Sequence, residues 1–279
     1  MKLADRFVDL STRPLPLRTL IFRRLLQRFP IGSWEARLRA GAVKRPHYAL
    51  CLSHAASLAQ KLGYRAITVV EFGVAGGNGL LCLCDYAAEI RRAYGVELRV
   101  VGFDSGEGLP ETHDVRDIHY VWPAGSFEMD RAALEARLAG RAELVLGNVA
   151  ATVPRWQPPA DAPLGAVMFD LDLYSSTRDA LQVLTKENLL PRVWCYFDDM
   201  EGSPETALTD FVGEGSAIRE FNNDPARSTL RDNVSPALVF KSNMPEAWHR
   251  RIHIYHRLHH PQYDLCLSAE KHQLQLAAS

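Results

Sequence analysis

The fold of this chain is decided by the stretch Ile67-Thr68-Val69-Val70-Glu71-Phe72-Gly73-Val74-Ala75-Gly76-Gly77-Asn78-Gly79. Its first half is a short, β-branched apolar run, which is typical of a buried parallel strand. Its second half is a glycine-rich turn, and residues 80–94 then have the apolar periodicity of a helix. A strand, a tight turn and a helix in this order predict the ligand-binding unit of a doubly wound α/β sheet.

The elements around this unit complete an α/β fold with a doubly wound, seven-stranded sheet. A helix is predicted upstream at residues 46–62, because Pro46 suits the first turn and Gly63 ends the pattern. Strands are predicted at 67–72, 98–103, 143–146, 165–169, 193–197, 237–241 and 251–258, with helices at 175–184 and 205–221. No helix separates the last two strands, so the sheet should end in an antiparallel pair.

The bulk composition is that of an ordinary globular domain. Apolar residues make up 47% of the 279 and charged residues 23%. With 32 basic and 33 acidic side chains the formal charge is −1, so no overall positive field favours nucleic acid. Five cysteines form neither a CxxC pair nor a secreted disulfide pattern, which predicts a reducing, cytoplasmic location. No apolar run is long enough to predict stable membrane insertion.

Residues 1–45 are predicted to form an N-terminal helical segment ahead of a catalytic domain spanning residues 46–279. Apolar side chains recur among arginines at helical spacing, at Leu17, Leu20, Ile21, Leu25 and Phe29. We interpret this basic amphipathic helix as a lid or as a contact between the subunits of a homodimer. A helix bound to a membrane surface is the alternative, since basic amphipathic helices also have that use.

The glycine loop differs from a dinucleotide-binding loop. That motif needs G-x-G-x-x-G to seat a pyrophosphate, whereas two residues separate Gly73 from Gly76 here. An acid, Glu71, precedes the first glycine, and its carboxylate would repel a pyrophosphate but suits the ammonium group of an amino-acid ligand. This combination favours S-adenosylmethionine, with an unliganded tight turn as the alternative.

Residues at neighbouring strand ends extend the candidate cofactor site. Asp104 ends the second strand, where its carboxylate could accept both ribose hydroxyls; capping a helix is the other common use of such an aspartate. Asn148 follows the third strand, on the expected adenine side. The predicted cofactor-binding residues are Glu71, Gly73, Gly77, Asn78, Asp104, Ser105 and Asn148.

Four aspartates follow two neighbouring strands of the predicted sheet. Asp170 and Asp172 are two residues apart, and alternate positions of a strand share one face. Asp198 and Asp199 follow the next strand, so all four should meet beside the glycine loop. Such a cluster repels itself unless a cation compensates, and an all-carboxylate site suits Mg²⁺ or Mn²⁺ rather than zinc. Helix capping would explain one or two of the four.

The acid cluster also suggests a reaction. Methyl transfer from a sulfonium is a displacement that needs an oxygen nucleophile, and a protonated sugar hydroxyl is a poor one. A metal lowers the pKa of a coordinated hydroxyl, and a neighbouring carboxylate can take its proton. We assign Asp170, Asp198 and Asp199 as metal ligands and Asp172 as the base.

As a set, these motifs resemble those of the metal-dependent sugar O-methyltransferases, such as the macrocin, mycinamicin and noviose enzymes. The matching segments, within residues 65–200, are Glu71-Phe72-Gly73-Val74, Phe103-Asp104-Ser105, Glu107-Gly108-Leu109-Pro110, Asp170-Leu171-Asp172-Leu173-Tyr174, Ser176-Thr177, Asp179-Ala180-Leu181 and Asp198-Asp199. The resemblance implies a class I methyltransferase (Rossmann-like) fold with an N-terminal lid, and frequent dimerisation. It also implies Mg²⁺ on Asp170, Asp198 and Asp199, a base at Asp172, and a sugar acceptor, either a small molecule or an oligosaccharide.

Two positions depart from the patterns of related enzymes. The loop of the sugar methyltransferases commonly continues with an arginine and a serine, where this chain has Gly76 and Gly79. Contacts to the carboxylate of the cofactor should therefore differ. Catechol methyltransferases typically place a lysine three residues after the first metal aspartate, and this chain has Leu173 there, which argues against a catechol acceptor.

Two other functions stay open from the sequence. A phosphohydrolase of the haloacid dehalogenase type also carries D-x-D at a strand end and binds Mg²⁺, but its motif normally follows the first strand rather than the fourth. A non-catalytic protein that binds S-adenosylmethionine is the second alternative. Weaker signals are a histidine-rich segment at 249–260 and a polar loop at 113–120, which could contact a transition metal and an acceptor respectively.

Overall fold

The computed structural model describes residues 17–225, 232–238 and 247–268. The strands within these residues are β1 (Ala66–Phe72), β2 (Glu97–Asp104), β3 (Glu143–Leu146), β4 (Leu164–Phe169), β5 (Leu189–Phe197), β6 (Asn233–Pro236) and β7 (Ile252–His256). They form one seven-stranded sheet in the order β3-β2-β1-β4-β5-β7-β6. Strands β1 to β5 pair in parallel, and β7 is antiparallel to β5 and β6. The predicted doubly wound sheet with an antiparallel end is confirmed.

Helices cover both faces of this sheet. The α-helices of the described residues are α1 (Leu17–Arg28), α2 (Trp34–Arg39), α3 (Pro46–Lys61), α4 (Asn78–Tyr94), α5 (Arg131–Leu138), α6 (Val149–Thr152), α7 (Tyr174–Ala180) and α8 (Gly213–Asn223). Apolar side chains of α3, α4 and α5 form one core layer, and those of α7 and α8 belong to the other.

Strand β1 is the centre of the sheet because it is apolar on both faces. Ile67 and Val69 enter the core layer of α3 and α4, while Val70 and Phe72 enter the opposite layer. All of its residues are buried, as the unbroken β-branched run predicted. The strand order changes direction between β1 and β4, and the crevice at such a switch point is where doubly wound folds bind ligands.

One strand predicted in the late part of the chain has different bounds in the structure. The strand expected at 237–241 is instead β6, which lies just upstream, and part of the predicted range falls outside the described residues. The prediction followed an apolar run, but Leu238 is exposed while Val234 is buried. Strand β6 is an edge strand held by a side chain, because Asn222 donates to the carbonyl of Val234 and accepts from its N–H, both at 2.8 Å.

Two helices are shorter than predicted. Helix α8 begins at Gly213 rather than near residue 205, and the preceding residues form turns. Gly213 has a left-handed φ of 58°, which breaks a helical path from upstream. Helix α7 ends at Ala180 and continues as a 3₁₀ turn, Leu181–Thr185.

Helix α1 forms where the amphipathic pattern predicted it. Arg23 donates to the carbonyl oxygen of Ala40 at 2.6 Å, and Gln27 to that of Val43 at 3.0 Å. The apolar side chains Ile21, Phe22, Leu25 and Phe29 are exposed. The lid or dimer role of this segment stays a prediction. In the part of the chain that the structure describes, no helix is long and apolar enough to cross a bilayer.

The side chain of Asn222 gives a test of how β6 is held. Asn222→Leu should lower the free energy of unfolding by about 1–3 kcal/mol, because the buried N–H and carbonyl of Val234 each lose a partner. Urea unfolding measures the change. Asn223→Leu is the control. Asn223 is the next residue of α8 and is exposed, so its substitution should leave stability nearly unchanged. Equal effects of the two substitutions would contradict the role of Asn222.

Candidate cofactor and metal site

The structure brings the predicted site residues together around one crevice at the carboxyl ends of β1 to β5. A cavity of about 500 Å³ lies there. The predicted residues that line it are Glu71, Gly73, Gly77, Asn78, Asp104, Ser105, Asn148, Asp170, Asp172, Asp198 and Asp199. Their location is thus given by the fold, and their roles stay predictions.

The glycine loop lies directly against the end of β4. A Cβ at Gly73, whose φ is 82°, would lie 1.7 Å from the carbonyl oxygen of Asp170. A Cβ at Gly79 would lie 1.7 Å from Oε1 of Glu71. At Gly73 the obstacle is main chain, so this glycine is required by close approach. At Gly79 a side chain would have to displace the carboxylate of Glu71. The contact at Gly73 joins the candidate cofactor loop to the acid cluster.

Asp104 supports the glycine loop from the β2 side. Its Oδ2 accepts from the N–H of Ala75 at 2.8 Å, and its Oδ1 accepts from the N–H of Gly106 at 2.7 Å. Ala75 has a left-handed φ of 44°, which this hydrogen bond helps to hold. The aspartate therefore positions the loop, and the free lone pairs of the same oxygens leave its predicted contact with a ribose open.

Ser105 and Asn148 also make local hydrogen bonds. The Ser105 hydroxyl donates to the carbonyl of Gly108 at 2.7 Å, which closes the turn after β2. The Asn148 side chain caps α6, because its Oδ1 accepts from the N–H of Ala150 at 2.8 Å. Both residues thus have a structural role, and their contact with a cofactor stays a prediction.

Glu71 is a buried acid with one oxygen satisfied and one not. The hydroxyl of Tyr48 donates to its Oε1 at 2.6 Å, whereas its Oε2 has no hydrogen-bond partner among the described residues. Burial raises the pKa of Glu71 to about 8, against the opposing effect of the Tyr48 hydrogen bond. A buried carboxylate oxygen without a partner is costly, and an ammonium group in the cavity would satisfy it.

Asp170, Asp198 and Asp199 form the candidate metal centre. One carboxylate oxygen of each lies within 4.8 Å of the others. Burial and the charges of Asp198 and Asp199 raise the pKa of Asp170 to about 7. Oδ2 of Asp199 is buried without a hydrogen-bond partner in the described part of the chain. Converging carboxylates with an unsatisfied oxygen fit a hard divalent cation such as Mg²⁺.

Asp172 reaches the cavity by a different route from the one predicted. Strand β4 ends at Phe169, so strand alternation does not place this side chain, and that argument was wrong. Asp172 instead has a left-handed φ of 62°, inside a tight turn closed by a hydrogen bond of 2.6 Å from the N–H of Leu173 to the carbonyl of Leu171. Burial and the charges of Asp170 and Asp198 raise its pKa to about 7.

Sequence reasoning missed the groups that hold the acid cluster in place. Tyr196 donates its hydroxyl to Oδ1 of Asp198, and Arg251 contacts the same oxygen at 3.1 Å. Glu214 is fully buried, and its Oε2 accepts from the N–H of Asp199 at 2.8 Å. These partners come from β5, the 3₁₀ turn before β7 and α8. No short motif links them to the aspartates, so the sequence offered no signal for them.

The long loop after β2 covers one side of the crevice. Its buried Asp117 accepts from the N–H of Ser175 at 2.7 Å, and Tyr120 donates its hydroxyl to the carbonyl of Thr206 at 3.0 Å. Trp122 and Phe127 of this loop line the cavity, as do residues near its start, whereas no residue of the segment 113–120, which could have contacted an acceptor, lines it. Nε1 of Trp122 is buried with no hydrogen-bond partner among the described residues.

The late histidines do not line the cavity that contains the acid cluster. His253 is buried, with its ring centroid 5.1 Å from that of Phe197, and burial lowers its pKa. Nδ1 of His256 lies 2.7 Å from the hydroxyl of Tyr263. The described histidines belong to no group of converging metal ligands.

Comparison with solved structures identifies the fold. CalS11, a calicheamicin methyltransferase, is 21% identical over 90% of each chain, with a TM-score of 0.52. The O-methyltransferase NovP is 18% identical over 74% of this chain and 77% of its own, with a TM-score of 0.49. No protein-family model and no curated protein matches the chain. The similarity to CalS11 shows a shared class I methyltransferase fold.

The buried state of Glu71 should be visible in how stability depends on pH. Its folded pKa of about 8 exceeds the ordinary value of 4.5, so folding favours the protonated acid. The wild type should therefore lose stability relative to Glu71→Gln as pH rises through this window. Each unit of pKa shift contributes about 1.4 kcal/mol to that difference.

Urea unfolding at several pH values between these limits measures the difference. Glu128→Gln, at an exposed position, is the control and should follow the wild type. Parallel pH profiles for the wild type and Glu71→Gln would show that the carboxylate ionises freely in the folded protein, contrary to its burial.

Proposed function

We propose that this protein transfers a methyl group from S-adenosylmethionine to a hydroxyl of a sugar or glycoside, with the help of Mg²⁺ or Mn²⁺. The observation that carries the proposal is the contact between the glycine loop and the acid cluster, made where Gly73 meets the carbonyl of Asp170. One cavity thus combines a cofactor loop with three converging carboxylates.

The residues of the loop fit the proposed cofactor. Glu71 offers an unsatisfied buried oxygen to an ammonium group, and Asp104 lies at the end of β2, where hydroxyls of a ribose would be within its reach. When bound, S-adenosylmethionine supplies an electrophilic methyl group on sulfur. Gly73, Gly77 and Asn78 line the cavity between these acids, so they would contact the cofactor mainly through backbone and small groups.

The acid cluster fits the proposed metal, and its residues divide the chemical work. Asp170, Asp198 and Asp199 would hold the cation, which supplies Lewis acidity toward a hydroxyl when bound. Asp172 stands beside them in the same cavity and would accept the proton of that hydroxyl. Tyr196 and Arg251 fix one oxygen of Asp198, and Glu214 fixes the backbone of Asp199, so the ligands are held before a cation arrives.

The acceptor class rests on the resemblance of the motifs and on the fold. CalS11, which shares the fold, is described as a TDP-rhamnose 3'-O-methyltransferase. We propose a sugar acceptor with neighbouring hydroxyls, as a small molecule or an oligosaccharide. We also propose that the protein acts in the cytoplasm as a homodimer without a nucleic-acid partner, and that residues 1–45 form its lid or dimer contact. The exposed apolar side chains of α1 support that last role.

The topology argues against the phosphohydrolase alternative. In that class the D-x-D motif normally follows the first strand of the sheet, whereas Asp170 and Asp172 follow β4 and the glycine loop follows β1. A non-catalytic role leaves the acids around the cavity without a task. Labelled methyl groups distinguish a methyltransferase from the other two functions, since only a methyltransferase moves the label from S-adenosylmethionine to a hydroxylated acceptor.

Removal of divalent cations tests the metal. Chelated protein should lose methyl transfer to a sugar acceptor, and added Mg²⁺ should restore it. Asp198→Asn should raise the Mg²⁺ concentration needed for half-maximal activity by on the order of tenfold or more, because one charged ligand is lost. Asp161→Asn, at an exposed position, is the matched control. Full activity in excess chelator would rule the metal out.

The role of Asp172 is tested by Asp172→Asn, which keeps the size of the side chain but cannot take up a proton. We expect kcat to fall by on the order of 10²–10⁴-fold, the usual contribution of a positioned base. The affinity for S-adenosylhomocysteine should not change, as measured by calorimetry. Asp179→Asn, whose side chain pairs with Arg178 outside the cavity, is the control. A near-normal kcat in Asp172→Asn would show that a metal alone activates the hydroxyl.

A further inference from the structure

Arg45 lines the cavity but belongs to none of the sequence motifs described above. It immediately precedes α3 and has φ and ψ of 38° and 67°, a left-handed conformation that is uncommon for a residue with a side chain. Pro46 occupies the first turn of α3 and fixes the helix start behind it. In this conformation Arg45 lines the same cavity as the glycine loop.

The guanidinium of Arg45 lies near two acidic side chains without a hydrogen bond to either. It lies over the ring of Tyr48, 5.1 Å from the centroid, and close enough to Glu71 and Asp170 to be attracted by their charges. No hydrogen bond joins it to another described residue. Stacking on an aromatic ring orients a guanidinium while leaving its N–H groups free for a planar anion.

Glu71 provides the opposite charge in the same part of the cavity. Tyr48 holds one of its oxygens, and the other is buried without a partner among the described residues. Tyr48 thus contacts both groups, through its hydroxyl and through its ring. The carboxylate of Glu71 and the guanidinium of Arg45 together complement the two opposite charges of an amino-acid zwitterion.

The glycine loop itself offers no charged side chain for a carboxylate. From Gly73 to Gly79 the chain carries no lysine, arginine or histidine, and residues 76 and 79 are both glycine. At Gly79 a side chain would have to displace the carboxylate of Glu71, because its Cβ would lie 1.7 Å from Oε1. A charged partner for the carboxylate of the cofactor must therefore come from another element.

We propose that Arg45 binds the carboxylate of the methionyl end of S-adenosylmethionine, while Glu71 binds its ammonium group. This inference rests on the proposed function, since it assigns one end of the proposed cofactor. It also moves part of the cofactor site from the glycine loop to the residue that precedes α3. The boundary drawn from the sequence between residues 45 and 46 then passes through the site.

Two ligands that differ only at the amino-acid end provide the test. S-adenosylhomocysteine carries that end, and 5'-methylthioadenosine lacks it. Arg45→Gln should weaken binding of S-adenosylhomocysteine by about 10- to 100-fold, because a hydrogen-bonded charged group is lost. Binding of 5'-methylthioadenosine should be unchanged. Calorimetry on the full chain measures both affinities without any turnover.

Matched variants separate binding from structure. Arg91→Gln removes a mostly exposed arginine from α4 and should leave both affinities unchanged. Arg45→Lys keeps the charge but not the fork of N–H groups, and should retain part of the affinity. If Arg45→Gln fails to fold, the comparison of Arg45→Lys with the wild type carries the test.

The outcomes are distinct. Equal weakening of both ligands by Arg45→Gln would overturn the inference, because the arginine would then support the site in general. Unchanged binding of both would also overturn it, while leaving the proposed function standing. A strengthened affinity for Mn²⁺ with normal S-adenosylhomocysteine binding would show a counter-ion of the acid cluster instead, because the variant loses a positive charge that opposes the cation. A wild type that binds neither adenosyl ligand would contradict the proposed function itself.

Discussion

The close approach of the glycine loop to the end of β4 is the constraint on which the site depends. Backbone meets backbone there, because a Cβ at Gly73 would lie 1.7 Å from the carbonyl oxygen of Asp170. Asp104 braces the same loop from β2 through the N–H of Ala75. The position of the glycine loop relative to the acid cluster is therefore set by contact between main-chain atoms.

Several buried acidic side chains surround the contact between the glycine loop and β4. Burial raises the pKa of Glu71 and Asp199 to about 8, and the hydrogen bond from Arg251 to the acid cluster goes to Asp198. Buried carboxylates with unsatisfied oxygens reduce the stability of a fold. An ammonium group and a divalent cation would remove that cost, so binding of either should stabilise the folded state in proportion to its affinity. Stability and ligand binding are linked here by electrostatics.

Much of the fold and of the candidate site could be predicted from local patterns. The bounds of strand β3 were predicted correctly. Asp170, Asp198 and Asp199 converge, as expected for residues that follow the carboxyl ends of neighbouring parallel strands. The predictions that failed concerned backbone conformation or contacts between distant parts of the chain. The turn that carries Asp172 depends on a left-handed residue that alternation does not reveal, and β6 depends on a side chain of α8. The partners of the acid cluster lie on distant segments, which spacing along the chain does not indicate.

Glu71 and Gly79 form a pair whose changes cannot be independent. One oxygen of the glutamate occupies the space that any side chain at residue 79 would need. A side chain at 79 would displace the carboxylate of Glu71, and a shorter acid at 71 would leave a gap under the hydroxyl of Tyr48. Among homologous chains the three positions should therefore drift together, as a single epistatic unit, rather than one at a time.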